Sequence, residues 1–384
     1  MATKVFIIAG EASGDQLGSS LIQSLREQNP DIEIRGIGGE AMMAAGMKES
    51  LFPMDHLSVM GLAEIIPRIP KFINLIAKAV QAIRVFDPDV VVTIDAPDFS
   101  FRVQKKIKAA GIRAKKIHYV APTVWAWRSG RAAKIAQFLD GIICLFPFEP
   151  IYFEREGLKA TAVGHPMVSS GLMSGDGGVF RARHHIAQDS KVLGLFCGSR
   201  TSEVRGLLPL MIDVAKQIKE TEHNLVCVVP TLPKWKDVIE KEMRDAGLSA
   251  IVTCDQSEKW DAFHAPDVAL AVSGTVALEI ALAGIPHAII YKMSNLTWEI
   301  IRRVVKTKFA HLGNILLGHL VYPEFIQENA TVETIAPVIK NLMVSDVERR
   351  VQTEASKKIL QLLEPNPNEK AADSAAAFIK SFLS

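Results

Sequence analysis

At 384 residues the chain is too long for one ordinary hydrophobic core, and its length favours two domains. Its 48% hydrophobic and 22% charged residues exclude a large disordered region. The 44 basic and 42 acidic side chains leave a formal charge of +2, which excludes a global attraction to nucleic acid, so an anionic ligand must be held by local groups.

The first element, KVFIIAG, is a short strand-like run that meets Glu11 too soon for a signal peptide, so export is not expected. Val/Ile-rich runs then alternate with helical patterns: EIRGIGG, DVVVTID, KKIHYVAP, GIICLF and TAVGHP all precede residue 167. Continuous apolar strands separated by helices predict a parallel sheet covered on both faces. Residues 168–190 are rich in Gly and Ser and read as a linker with a short helix. A second series follows with VLGLFCG, NLVCVVP, SAIVTC, DVALAVS and PHAIIY. The fold class is therefore α/β, with two Rossmann-like doubly wound domains over 1–167 and 191–345.

Residues 346–384 turn helical, Thr331 and Asn366 through Glu369 read as helix starts, and the tail either packs back across the interdomain cleft or onto a second subunit, which leaves a homodimer open. Cys144, Cys197, Cys227 and Cys254 sit in or beside apolar runs without zinc or CxxC spacing, and read as reduced core residues. No stretch reads as a transmembrane helix, because the most apolar region, 268–291, is interrupted by Ser273, Thr275, Glu279 and Pro286. Segment 61–86 mixes Ile, Leu and Phe with Arg68, Lys71, Lys78 and Arg84; it reads either as a helix on an anionic membrane or as an amphipathic helix on its own sheet.

In open α/β sheets ligands gather beyond the carboxyl ends of strands. Gly10-Glu11-Ala12-Ser13-Gly14-Asp15 follows the first strand, with Gly14 and Gly18 spaced to share a helix face for close packing or for a sugar. Neither GxGxxG nor a Walker loop is present there. At the end of DVVVTID, Asp95 points into the crevice as a candidate general base, whereas Asp98 fits a helix N-cap. Trp125, Trp127 and Arg128 line a pocket or cover a core. In the second half Gly198-Ser199-Arg200 forms a strand-to-helix turn suited to a diphosphate, and Ser273-Gly274-Thr275 opens a helix from which Glu279 can accept ribose hydroxyls or serve as a dipole partner.

AGEASGDQLGSSLI (9–22), GIGGEAMMAAG (36–46), MGLAEIIPRI (60–69), IDAPDFSFRV (94–103), IHYVAPTVWAWR (117–128), PFEPIYFEREG (147–157), VGHPM (163–167), CGSRTSEV (197–204), SGTVALEIALAGIP (273–286) and GNILLGHLVYPEFIQ (313–327) together resemble the lipid-A-disaccharide synthase family over nearly the whole chain. The resemblance implies a GT-B glycosyltransferase of family 19: an acceptor-side domain and a UDP-donor-binding domain facing a central cleft, with C-terminal helices. Its reaction would be an inverting transfer of 2,3-diacylglucosamine from UDP-diacylglucosamine to diacylglucosamine 1-phosphate, in the cytoplasm on the inner-membrane surface.

It further implies that Asp95 is the base for the acceptor 6-hydroxyl. Arg200, Glu279 and Asn314 match donor-site residues, with Ser199, Ser273, Gly274, Thr275 and Gln327 in the same stretches. Glu11, Ser13, Gly14 and Asp15 would face the acceptor. Arg200 and helix ends would meet the leaving-group charge, so neither a catalytic metal nor a cofactor is expected. Cys197 and Gly313 stand where the family commonly has proline, His319 where arginine is usual, and Glu40-Ala41 where Pro-Arg is usual. The changes at Gly313 and His319 bear first on the loop around Asn314. Two alternatives are weighed: another GT-B enzyme acting on UDP-N-acetylglucosamine, such as an epimerase or peptidoglycan transferase, and a two-domain binding protein without chemistry.

Overall fold

The structure, a computed structural model, describes residues 2–57, 69–127, 130–305, 307–364 and 370–383. The chain divides into two compact units, one of Met1–Pro166 with Leu363–Ser384 and the other of Met167–Leu362.

The first unit runs β1 (Lys4–Ala9), α1 (Ala12–Gln28), β2 (Glu33–Ile37), α2 (Glu40–Ala44), α3 (Ile69–Phe86), β3 (Val90–Ile94), α4 (Pro97–Ala109), β4 (Lys115–Tyr119), α5 (Val124–Trp127), α6 (Gly130–Ala136), β5 (Gly141–Cys144), α7 (Pro150–Glu154) and β6 (Lys159–Ala162). All strand pairs are parallel, in the order β2-β1-β3-β4-β5-β6. The chain steps outward from β1 to β2, then crosses back to place β3 on the other flank of β1. In open parallel sheets such a reversal is where strand ends diverge and ligands bind. Val90, Val91, Val92 and Ile94 are completely buried, as covering both faces of a parallel sheet requires.

The second unit runs α8 (Gly177–Arg183), β7 (Lys191–Phe196), α9 (Thr201–Lys219), β8 (Leu225–Pro230), α10 (Pro233–Asp245), β9 (Ala250–Thr253), α11 (Lys259–His264), β10 (Val268–Val272), α12 (Thr275–Leu282), β11 (His287–Tyr291), α13 (Asn295–Val304), α14 (Leu312–Leu317), β12 (Glu324–Ile326), α15 (Val332–Val344) and α16 (Asp346–Leu363). Its parallel order is β12-β11-β10-β7-β8-β9, so the reversal falls between β7 and β10. Residues 168–190, expected as a linker, contain α8 and two 3-10 turns and fall in this unit, with Phe180 fully buried against Val192 and Val228. Eleven strands match the apolar runs of the sequence; the three-residue β12, inside the 313–327 stretch, does not stand out as one.

Helix α17 (Ala371–Lys380) closes the first unit, since Ala375, Ala376, Phe378 and Ile379 join the core formed by Val5, Ile7, Leu21, Val92 and Ile94. Burying Phe378 and Ile379 contributes about 1.5–3 kcal/mol each. Thr331 caps α15 as its residue type predicts, the two Thr331 and Thr334 side chains exchanging bonds with each other's backbone N–H. The expected start at Asn366–Glu369 lies outside the described residues, as do 61–68 and Arg128. All four cysteines are free thiols. Among the described residues no helix is long and apolar enough to cross a membrane.

Candidate active site

Both strand-order reversals lie at the turns that hold the candidate residues of the sequence. In the first unit, β1 leads to Glu11 and β3 to Asp95. The backbone is strained there: Asp95 and Ala96 have φ of 51° and 43°, and Val120, after the neighbouring β4, has φ of 74°. A left-handed β-branched residue is a genuine outlier, and such conformations persist only where surroundings impose them. The hydrogen bonds show how they are imposed. Asp95 N donates to Tyr119 O (3.0 Å), Val120 N to Ile143 O (3.0 Å), and the Ser100 hydroxyl to Asp95 O (2.7 Å). A Cβ on Gly10 would lie 2.4 Å from Ala96 Cβ, so only glycine lets the β1 end approach this turn.

Burial raises the Asp95 carboxyl above the ordinary carboxylate value, opposed by the Ala96 N–H. Glu11, although its residue surface is exposed, is raised too, by partial loss of water around its carboxyl and then by the charge of Asp95. A carboxylate with raised proton affinity accepts a hydroxyl proton more readily than an ordinary one. Asp98 is not the N-cap of α4; Ala96 is, with Pro97 first in the helix and Asp98 in the first turn, because the left-handed turn ends at Ala96.

The other expected acceptor-side residues divide. Glu11 and Ser13 are exposed, whereas Gly14 and Asp15 are buried and turned inward. The Asp15 carboxylate accepts N–H bonds from Gly39 (2.7 Å), Ala41 (3.0 Å) and Met42 (3.2 Å), so it fixes the β2–α2 turn. A Cβ on Gly14 would stand at ordinary contact distance from Ile94 O and Ala9, whereas at Gly18 a Cβ would stand 2.6 Å from Met42 Sδ. Trp125 is likewise structural: its indole N–H donates to Glu149 (3.0 Å), which also accepts from Leu145 N and Phe146 N. Burial pushes the Glu149 carboxyl up to about 7.

In the second unit, β7 leads to Gly198-Ser199-Arg200 and β10 to Ser273-Gly274-Thr275. The N–H groups of Ser199 and Arg200, expected to face an anion, both donate to Glu203 Oε2 at 3.2 Å. Gly198 has φ 83°, a conformation that favours glycine, and a Cβ there would lie 2.4 Å from that oxygen. What remains for a ligand is the Arg200 guanidinium, whose side chain is 77% exposed and holds Glu203 Oε1 through Nη1 alone (2.9 Å). At the other turn Gly274 has φ 145°, a glycine conformation, with nothing within 4 Å of its Cβ position. Thr275 is exposed, and the Ser273 hydroxyl donates to Ala310 O (3.0 Å). Glu279 lies one turn into α12, its side chain 19% exposed and 3.7 Å from Lys259 Nζ.

Asn314 and Gln327 are placed differently from expectation. Asn314 is completely buried; its amide donates to Tyr322 O and Glu324 Oε1 and accepts from Val321 N and Tyr322 N. Its capacity is used up in shaping 321–324. Gln327, at φ 53°, spends its amide on Met293 N (2.7 Å) and O (3.2 Å). Both residues hold backbone, Asn314 with its full capacity and Gln327 with one donor and one acceptor.

The departure at Gly313 also has a local cause. Its N–H donates to His311 Nδ1 (2.8 Å), a bond proline cannot make, and a Cβ there would meet the His311 ring at 2.9 Å. His311 Nε2 in turn contacts His287 Nε2 (2.7 Å), whose Nδ1–H donates to Ile285 O. These bonds assign the proton of the shared contact to His311 Nε2. Burial holds His287 near 4 and His311 well below the ordinary imidazole value, so the pair is neutral.

Among the described residues no cluster of three or more His, Cys, Asp or Glu side chains forms a metal site. Sequence reasoning missed Lys259, Glu203 and the Gly10–Ala96 contact. Only Glu203 left a signal, its spacing three residues after Arg200 at a helix start.

A family model described as lipid-A-disaccharide synthetase matches residues 5–378. The chain belongs to the lipid-A-disaccharide synthase family. It is 42% identical over 373 residues to the lipid-A-disaccharide synthase of Rhodospirillum centenum, covering 96% of this chain and 93% of that one. The corresponding enzyme of Paramagnetospirillum magneticum is 40% identical over 382 residues, with 98% and 97% covered. Among solved structures, Acinetobacter baumannii MurG superposes with a TM-score of 0.58 at 14% identity, covering 99% of each chain. The UDP-GlcNAc 2-epimerase of Neisseria meningitidis gives 0.58 at 12%, covering 95% and 100%. At such identities the likeness establishes the GT-B fold alone, whereas family membership rests on the sequence matches. Membership favours neither the epimerase nor the binding-protein alternative.

Proposed function

We propose that the chain is a lipid-A-disaccharide synthase, which transfers 2,3-diacylglucosamine from its UDP derivative to 2,3-diacylglucosamine 1-phosphate and releases UDP. The observation that carries the chemical assignment is Asp95, a carboxylate with raised proton affinity fixed on a strained turn at the reversal of the first sheet. The acceptor 6-hydroxyl oxygen attacks the anomeric carbon, the bond from that carbon to the diphosphate oxygen breaks, and the hydroxyl proton passes to Asp95. A single displacement inverts the anomeric centre and gives a β-1,6 linkage. Charge developing on the diphosphate is met by Arg200, and Glu279 accepts the ribose hydroxyls.

The test is UDP release with acylated donor and acylated acceptor. Turnover is expected with both substrates; release from UDP-N-acetylglucosamine without acyl chains at a similar rate would overturn the assignment. Arg200→Ala is expected to weaken UDP binding about 10-fold, the loss of one charge-assisted contact. An unchanged affinity by calorimetry would remove Arg200 from the donor site.

Substrates bearing two acyl chains partition into bilayers, and docking on the cytoplasmic face of the inner membrane follows as part of the proposal. Helix α3 supports it with exposed Lys71, Ile73, Lys78 and Val85. Charge reversal at Lys71 and Lys78 is expected to lower sedimentation with vesicles containing anionic lipid; equal sedimentation of variant and wild type would speak for a helix that serves only its own sheet.

A further inference from the structure

Lys259 opens the short helix α11, and three anchors fix that helix. The Glu258 carboxylate just before it holds Arg183 Nη1 (3.1 Å), His184 Nε2 (3.0 Å) and the Thr253 hydroxyl. The Trp260 indole N–H donates to Ser170 O (3.0 Å), and Asp261 accepts from Asp176 N (2.9 Å). The Lys259 ammonium lies 3.9 Å from the centroid of the Trp260 ring, within reach of a cation–π attraction that narrows a flexible stem. From there it reaches Glu279 Oε1 at 3.7 Å.

Glu279 presents opposing demands. It is accessible enough to meet a ligand, yet buried enough that loss of water favours its protonated form, and Lys259 opposes that. The protonation state matters for chemistry: a carboxylate offers acceptors to both hydroxyls of a vicinal diol, while the acid has an O–H in place of one of them. The elements packed against α12 carry His287 and Tyr291 on β11 and His311 before α14; β10 and the 3-10 turn Leu172–Ser174 carry no titratable side chain. Both imidazoles are neutral. On α11 itself, Asp261 is engaged with Asp176 N and His264 Nδ1 with Trp260 O. Lys259 is therefore the charged group that acts on Glu279.

We propose that Lys259 is a positioning residue of the donor site, its ammonium seated on the Trp260 ring and holding Glu279 as an aimed carboxylate for the two ribose hydroxyls of a nucleotide. The proposal rests on the reading that Glu279 meets the ribose of UDP. Removing the ammonium would leave the fold anchored by Glu258, Trp260 and Asp261, but would let Glu279 take up a proton at higher pH.

The experiment is UDP titration by calorimetry on the full chain between about pH 5.5 and 8.5, for wild type, Lys259→Met, Lys259→Gln, Lys259→Arg and Glu279→Gln, since a shift of one pKa unit is tenfold in proton affinity. Expected for Lys259→Met and Lys259→Gln is an affinity ~10-fold below wild type at the acid end that recovers as pH rises, with Lys259→Arg restoring the wild-type profile. Equal weakening at every pH, or no weakening, overturns the proposal. If wild type itself does not bind UDP, or Glu279→Gln binds it as wild type does, the donor-site reading has failed; if Glu279→Gln is weakened and the Lys259 variants are not, only the role of Lys259 has failed.

Discussion

Asp95→Asn lowers the rate of disaccharide formation by roughly 10²–10⁴-fold, the range a positioned base contributes, while UDP affinity stays within about twofold of wild type. The substitution suits this test because asparagine has the shape of aspartate and adopts the left-handed conformation readily, so the turn at φ 51° survives. What is lost is the capacity to accept a proton. The wild-type rate should fall on the acid side, with an inflection above the ordinary carboxylate value, because burial raises the Asp95 carboxyl and only its ionised form is a base. Steady-state UDP release with both acylated substrates reads each effect. A variant within threefold of wild type would transfer the role elsewhere, and Glu11, electrostatically coupled to Asp95, would be the first group to test.

The second large effect is expected at a residue with no side chain to offer a substrate. Gly10→Ala places a methyl 2.4 Å from Ala96 Cβ, far inside contact distance, and both belong to strand ends held by their sheet. The turn must yield, carrying Asp95 with it. Misplacement by about 1 Å costs on the order of 10² in rate. UDP affinity should persist, since Arg200 and Glu279 belong to the other unit. The decisive control is Gly10→Ala combined with Ala96→Gly, which removes the opposing methyl and relieves a strained φ of 43°. Recovery of most of the lost rate in the double variant is expected; no recovery would mean that the damage lies in β1 and not in the Asp95 turn.

Much of this architecture was legible because parallel sheets demand apolar strands, and residues such as Val90–Ile94 can be read without knowing what covers them. Strand order is a different kind of fact. It depends on which flank of β1 receives β3, and apolar periodicity is the same for either choice. The chemical residues followed a similar division. Asp95 and Arg200 stood out as charged residues in turns that follow strands, and Glu279 as an acid one turn into a helix. Asp15 and Asn314 were expected to face ligands but are consumed by backbone hydrogen bonds, because residue type does not reveal which way a polar side chain turns. Lys259 was invisible for a related reason: it lies 20 positions before Glu279 and reaches it only through the packing of α11.

The helix that completes the first unit is made after the whole of the second. During vectorial synthesis the growing amino-terminal sheet emerges with the cover for Val5, Ile7 and Leu21 still untranslated, whereas Met167–Leu362 is contiguous and can consolidate as it appears. The earliest-made half is thus the last to mature, and a chain cut short before residue 371 would have a whole second unit and a first unit with an open, aggregation-prone flank.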